Sequence, residues 1–296
     1  MTSPTSPPRR ATGTDKLLVE VSGKIALVTI NNPQKRNALS REIREALPGV
    51  LAALDSDPDV RVLVVTGAGD KAFASGADIS EFAALRTTPE ARAEYDRAQA
   101  ALTAAWASVG KPVIAMIRGF CMGGGLLTAL QADIRIAADD SQFGIPAARL
   151  GLGYGFNGVT TLMSLVTPAR AAEILFSARR FPAAEAMQMG LVNRVVPPDD
   201  LREEVMSLAA DIAANAPLTI TAAKAAIREA AKPPQPHDQA LRRLGRSVLK
   251  SERRAINARR KALAEAADER CRALRDGGVR ASLVGMPVWR ERKDLG

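Results

Sequence analysis

The chain has 296 residues, 47% hydrophobic and 25% charged, enough for one large core or two smaller ones. Two cysteines and one histidine argue against a disulfide framework, a cysteine or histidine metal site and a Ser–His triad. The formal charge of +9 is unevenly spread: 16 basic and 8 acidic residues lie from His237 onward, leaving 25 and 24 in residues 1–236. The body is therefore not the basic module that nucleic-acid binding calls for. No apolar run approaches the ~20 residues needed to span a membrane. Residues 1–14 are rich in Pro, Ser and Thr without an apolar centre, and the expectation is a disordered leader on a cytoplasmic protein. Neither nucleic acid nor membrane is an expected partner.

In chain order, Leu17–Val21 and Lys24–Asn31 predict a strand pair around Ser22-Gly23. Ser40 opens a helix to about Leu54, with Ile43, Leu47 and Leu51 at helical spacing. Arg61–Thr66 reads as a buried strand, followed by a small-residue turn and a helix from Asp78. Pro89–Ala107 predicts a long helix, and Pro112–Ile117 a second buried strand leading into a glycine-rich turn. Ile134–Ala138 and Gln142–Ile145 are strand-like. From Pro168 the pattern is helical, interrupted by a strand at Leu191–Val196. Pro233-Pro234-Gln235-Pro236 is a linker. Beyond it Leu249, Ile256 and Leu263 recur every seven residues in an arginine-rich tail. That tail reads either as a solvated helix packing on a partner subunit or as a polyanion contact. No GxGxxG follows the first strand and no P-loop is present.

The two small-residue turns carry the chemistry. Ala74-Ser75-Gly76-Ala77-Asp78 follows one predicted strand and Gly119-Phe120-Cys121-Met122-Gly123-Gly124-Gly125 another. A carbonyl oxygen gaining charge needs fixed donors, and backbone N–H groups at helix starts supply them where no Cβ stands in the way. Either turn alone is equally an ordinary strand-to-helix connection, with Asp78-x-x-Glu81 as a capping box.

The segments Lys71–Ile79, Gly119–Leu127, Ala132–Ala137, Phe143–Pro146 and Ala186–Val196, in this order and spacing, resemble the enoyl-CoA hydratase/isomerase (crotonase) family. The resemblance covers about residues 17–232. It implies an α/β fold: a spiral of β-β-α units over 15–196, a helical trimerisation region over 197–232, then the linker and basic helical tail over 233–296. It also implies a homotrimer or dimer of trimers, and an acyl-CoA substrate whose thioester carbonyl is held by the N–H groups of Ala77 and Gly124. Gly76 and Gly123 belong to the same turns. The adenine pocket falls near Ser75 and Ala77. Lys35 and Arg36 are either contacts for CoA phosphates or a solvated loop. Coenzyme A enters as part of the substrate; no separate cofactor and no metal are expected.

The resemblance also marks a departure. The two glutamates that handle water in such hydratases fall on Leu127 and Ala147, neither of which transfers a proton. The further acids of related isomerases and naphthoyl-CoA-forming members fall on Gly155 and Tyr154. Tyr154 also falls where a methylmalonyl-CoA decarboxylase of the family has a tyrosine. It is either a donor to substrate or a packed tyrosine with its tip hydrogen-bonded. Asp78, counted with Ser75, Gly76, Gly123, Leu127 and Ala147 among the substrate-binding residues, also reads as a helix cap, Asn157 as a cap, Arg149 as a surface or interface ion-pair residue, Asp133 as structural, and Tyr95 and Glu81 as solvated. The expected function is a lyase or isomerase that stabilises a thioester enolate. The alternatives are a malonyl-type acyl-CoA decarboxylase and a non-catalytic acyl-CoA-binding subunit.

Overall fold

The computed structural model describes residues 9–78, 81, 88–231 and 265. The chain divides into two compact units, residues 1–246 and 247–296. The elements below all belong to the first. The expected linker, the tail with its seven-residue recurrence and most of the helix expected after Asp78 lie outside the described residues.

Strands β1 (Arg9–Arg10), β2 (Leu17–Ser22) and β3 (Ile25–Ile30) form an antiparallel edge. Arg9 and Arg10 pair with Glu20 and Val19, inside the segment expected as a leader. Helix α1 (Arg41–Ser56) follows. Ser40 caps it by accepting from the Ile43 N–H, and Ile43, Leu47, Val50, Leu51 and Leu54 bury one stripe.

Three β-β-α turns come next: β4 (Val62–Gly67) and β5 (Ala72–Ala74) before α2 (Pro89–Ser108); β6 (Val113–Ile117) and β7 (Phe120–Met122) before α3 (Gly124–Ala129); β8 (Ile134–Ala138) and β9 (Gln142–Gly144) before α4 (Phe156–Met163). The longer strand of each turn joins a seven-stranded sheet of order β1-β2-β3-β4-β6-β8-β11, parallel from β3 onward. The shorter strand joins a four-stranded sheet of order β10-β9-β7-β5. Helix α5 (Pro168–Ser177), β10 (Phe181–Pro182), α6 (Ala183–Gln188) and β11 (Arg194–Val196) complete the spiral. Helices α7 (Leu201–Ala214) and α8 (Pro217–Ala230) form the expected helical region.

The parallel strands are apolar on both faces because both are covered. Leu63, Val65, Val113, Ala115 and Ile117 join a large cluster with α1, α2 and the second sheet. Val62, Val64, Ile114, Met116, Ile136 and Ala138 meet Leu201, Val205 and Ala209 of α7. Each fully buried Val or Ile contributes about 1.5–3 kcal/mol.

The structure differs from the sequence reading in several places. Leu191–Asn193 is not strand: Gly190 turns at φ 85° and the Leu191 N–H bonds Ala186 O, so pairing starts at Arg194. Asn157 lies within the first turn of α4, whose cap is Gly155. Glu81 does not close a capping box. Its carboxylate accepts from the Arg41 N–H at 2.7 Å, while the Asp78 N–H is directed to Leu39 O.

Candidate active site

The second sheet explains why segments far apart in sequence meet. β5, β7 and β9 are adjacent parallel strands, with Ala74 opposite Cys121 and Met122 opposite Gly144. Their C-terminal ends therefore lie side by side. From β5 the chain enters Ser75–Asp78, from β7 it enters Gly123–Leu127, and from β9 it enters Ile145–Ala147.

At the first exit Gly76 adopts φ +104°, closed to ordinary side chains. A Cβ there would also lie 3.2 Å from Met122 O and 3.4 Å from the Gly124 nitrogen. The Gly76 carbonyl accepts from the Leu39 N–H at 2.7 Å, within an isolated parallel bridge between Leu39 and Ala77. A trans peptide points its C=O and N–H oppositely, so the Ala77 N–H faces away from Leu39. It donates to no backbone carbonyl among the described residues.

At the second exit the three glycines have three separate jobs. Gly123 caps α3 at φ 52°, ψ −118°, with its N–H on Gly144 O at 2.8 Å. Gly125 permits contact: a Cβ there would lie 2.1 Å from Ala74 O. Gly124 borders the gap, since its Cβ would stand 3.5 Å from the Ala77 nitrogen. As the first residue of α3, Gly124 has no partner for its N–H within the helix; the first such bond runs from Leu127 N to Gly123 O. Two backbone donors thus flank one small space, and the N-terminus of α3 adds a favourable dipole for negative charge.

Leu127 on α3, Ala147 after β9 and Tyr154 before α4 are all part-buried and pack against the larger hydrophobic cluster. The Tyr154 ring lies on the backbone of α4, where a Cβ at Gly158 would come 2.8 Å from Cε1. Its hydroxyl is buried without a hydrogen-bond partner among the described residues. Burial pushes the phenol above its ordinary value, so it remains a neutral donor in the physiological range.

The Pro33–Lys35 turn is stitched to the first exit. Ser75 donates through its N–H to Arg36 O at 3.0 Å and through Oγ to Lys35 O at 3.1 Å. Lys35 Nζ pairs with the buried Asp78 carboxylate at 2.7 Å. Asp78 is thus an ion-pair partner of Lys35, and most of the helix it was expected to cap lies outside the described residues. The Arg36 guanidinium lies 5.2 Å from the centre of the Phe120 ring, as does that of Arg180. Beside Arg36 a cavity of about 310 Å³ opens between the Pro33–Asn37 turn and Ala68–Ala72. Another cavity, lined by Asp55, Lys111 and Thr221, lies where chains enter β4 and β6, away from the strand C-termini that carry both donors. Asp133 is structural, accepting from Val113 N and paired with the buried Lys224 at 2.7 Å.

Sequence reasoning missed the separate job of Gly125, the pairing of Lys35 with Asp78 and the burial of Arg44. The Gly-Gly-Gly run signalled the first, though not which glycine does what.

Comparison with known proteins identifies the family. Residues 20–261 match the family model described as enoyl-CoA hydratase/isomerase. The chain is 37% identical over 213 residues to the short-chain-enoyl-CoA hydratase of Clostridium acetobutylicum, covering 72% of this chain and 81% of that one. It is 37% identical over 215 residues to the crotonyl-CoA hydratase of Syntrophomonas wolfei, covering 73% and 82%. Among solved structures it superimposes with TM-score 0.72, at 36% identity, on an enoyl-CoA hydratase/carnithine racemase from Magnetospirillum magneticum, covering 77% and 85%. With its sequence and fold both matching over most of their length, the chain belongs to the enoyl-CoA hydratase/isomerase family.

Proposed function

We propose that the protein is an acyl-CoA enzyme that stabilises a thioester enolate between the N–H groups of Ala77 and Gly124. The observation that carries this reading is the gap between them, which a single Cβ on Gly124 would enter at 3.5 Å from the Ala77 nitrogen. Donors fixed by the backbone stabilise developing charge without reorganising, and each is worth roughly 10²–10³ in rate.

The walls steer the choice of reaction. Leu127 and Ala147 stand where the family resemblance puts the acids that handle water, and neither moves a proton. Two-glutamate hydration is therefore not the proposed chemistry. Decarboxylation of a malonyl-type thioester suits the site better. The bond from Cα to the carboxylate breaks, CO₂ leaves, and the electron pair passes into the enolate, whose oxygen the two N–H groups hold. A proton taken from solvent water by Cα completes the acyl-CoA product. No base is required, and Tyr154, whose buried neutral hydroxyl lacks a partner among the described residues, is the proposed hydrogen-bond donor. Arg36, exposed beside the first exit, is the proposed contact for CoA phosphates; Lys35 already holds Asp78.

A second reading is a non-catalytic acyl-CoA-binding subunit, favoured by the same loss of acids. Assembly as a homotrimer or dimer of trimers is part of the proposal. Phe176, Leu218 and Ile227, 81%, 84% and 69% exposed, offer apolar surface for a second copy. Purified protein is assayed with crotonyl-CoA and with malonyl- and methylmalonyl-CoA. Turnover of a malonyl-type thioester without hydration of crotonyl-CoA supports the first reading. Binding without any turnover supports the second, and efficient hydration overturns the assignment of the walls.

A further inference from the structure

Arg44 is a buried cation in the apolar stripe of α1, only 4% exposed. One guanidinium nitrogen donates to Leu39 O. Another lies 3.5 Å from Glu81 Oε2, and the guanidinium sits 4.9 Å from the centre of the Tyr95 ring on α2. Its Nε has no hydrogen-bond partner among the described residues. Burying a guanidinium so incompletely satisfied is costly. The carbonyl it grips suggests what the arrangement achieves.

Leu39 is the residue that sets the first donor. Its N–H holds Gly76 O at 2.7 Å, and its carbonyl, besides accepting from Arg44, receives the Asp78 N–H at 3.4 Å. Leu39 thus grips the backbone on both sides of Ala77. The Gly76–Ala77 peptide is rigid, so the direction of the Ala77 N–H follows from where Leu39 holds the Gly76 carbonyl. Glu81, three residues beyond Asp78, is tied to the same helix by the Arg41 N–H. Arg44 therefore joins α1, Leu39 and Glu81 in the segment after the donor.

We propose that Arg44 is a positioning residue for the oxyanion hole: through Leu39 it fixes the angle at which the Ala77 N–H meets the thioester oxygen. The proposal rests on the oxyanion-hole reading of Ala77 and Gly124. Loosening a donor costs less than removing it, so the expected effect is about tenfold, a fraction of the roughly hundredfold or more lost with a whole donor.

The test compares an acyl-CoA thioester with the matching thioether, which lacks the carbonyl. Wild type, Arg44→Met and Arg44→Lys are titrated with both, and the infrared C=O stretch of the bound, carbonyl-labelled thioester is recorded. Wild type is expected to prefer the thioester. Arg44→Met should lose about tenfold of that preference, keep its affinity for the thioether, and move the C=O stretch back toward that of a less polarised carbonyl. Arg44→Lys, which keeps the cation, should lose less. Were Arg44→Met not to fold, Arg44→Lys against wild type reads the same preference and the same stretch. An unchanged preference and stretch, or equal losses for both ligands, overturns the proposal while leaving the hole intact. A wild type that does not distinguish thioester from thioether overturns the hole itself, and the role of Arg44 with it.

Discussion

Replacing Gly124 with alanine separates the proposed hole from the fold that carries it. The added Cβ would lie 3.5 Å from the Ala77 nitrogen and 3.7 Å from Gly76 Cα, ordinary contact distances. Gly124 opens α3 without a positive φ, so alanine fits its backbone. The variant should fold with stability within about 1 kcal/mol of wild type, or about 2–4 °C in Tm. The methyl nevertheless stands between the two exits, in the space that a thioester oxygen hydrogen-bonded at about 2.9 Å to both nitrogens must enter. Loss of one donor's reach corresponds to about 2.7–4 kcal/mol, or roughly 10²–10³ in turnover. The assay is thermal unfolding alongside kcat/KM for whichever thioester the wild type processes, or thioester affinity if it processes none. A Gly124→Ala protein with wild-type Tm and wild-type thioester handling would refute the reasoning.

Three further outcomes follow from the same geometry. Gly125→Ala should behave oppositely to Gly124→Ala: its Cβ would sit 2.1 Å from Ala74 O, and backbone cannot yield cheaply. A stability loss of about 1–3 kcal/mol or more is expected by calorimetry. Tyr154→Phe removes a buried hydroxyl that lacks a partner, so it should stabilise the free protein by about 1 kcal/mol while weakening thioester binding or turnover; a destabilised variant would show that the hydroxyl is satisfied in the free protein. Glu173 and Glu185 are both held below the ordinary 4.5, chiefly by hydrogen bonds from Arg179, which grips the bend from α5 into α6. Their folded-state values are depressed, so this stabilisation is present above the unfolded-state value and is lost as pH falls through the folded one. Arg179→Met should therefore flatten the acid side of the stability–pH curve below about pH 4.5, and an unaltered curve would contradict the assignment.

The long apolar strands and α1 were legible because burial on both faces leaves unbroken runs such as Val62–Val65, and an amphipathic helix leaves a stripe. Of the second sheet only β9 was, as the strand-like Gln142–Ile145. β5 and β7 span three residues each, too few for alternation to register, and the pairing of all three short strands is a long-range fact. Yet that sheet builds the site, because it sets the two exits side by side. The proposed donors Ala77 and Gly124 were suggested by the glycine pattern and the family resemblance. The division of labour among Gly123, Gly124 and Gly125 needed coordinates, since it depends on how closely Ala74 and Ala77 approach. Arg44 was invisible for a similar reason: one charge within a helical stripe looks like solvated surface until its partner carbonyl is known.

The most direct measurement is a structure of the protein with a bound acyl-CoA thioester. The account predicts the thioester oxygen within hydrogen-bond range, about 2.7–3.2 Å, of both the Ala77 and Gly124 nitrogens, with Leu127 and Ala147 against the acyl carbons. A thioester oxygen directed elsewhere, with either nitrogen out of reach, would contradict it.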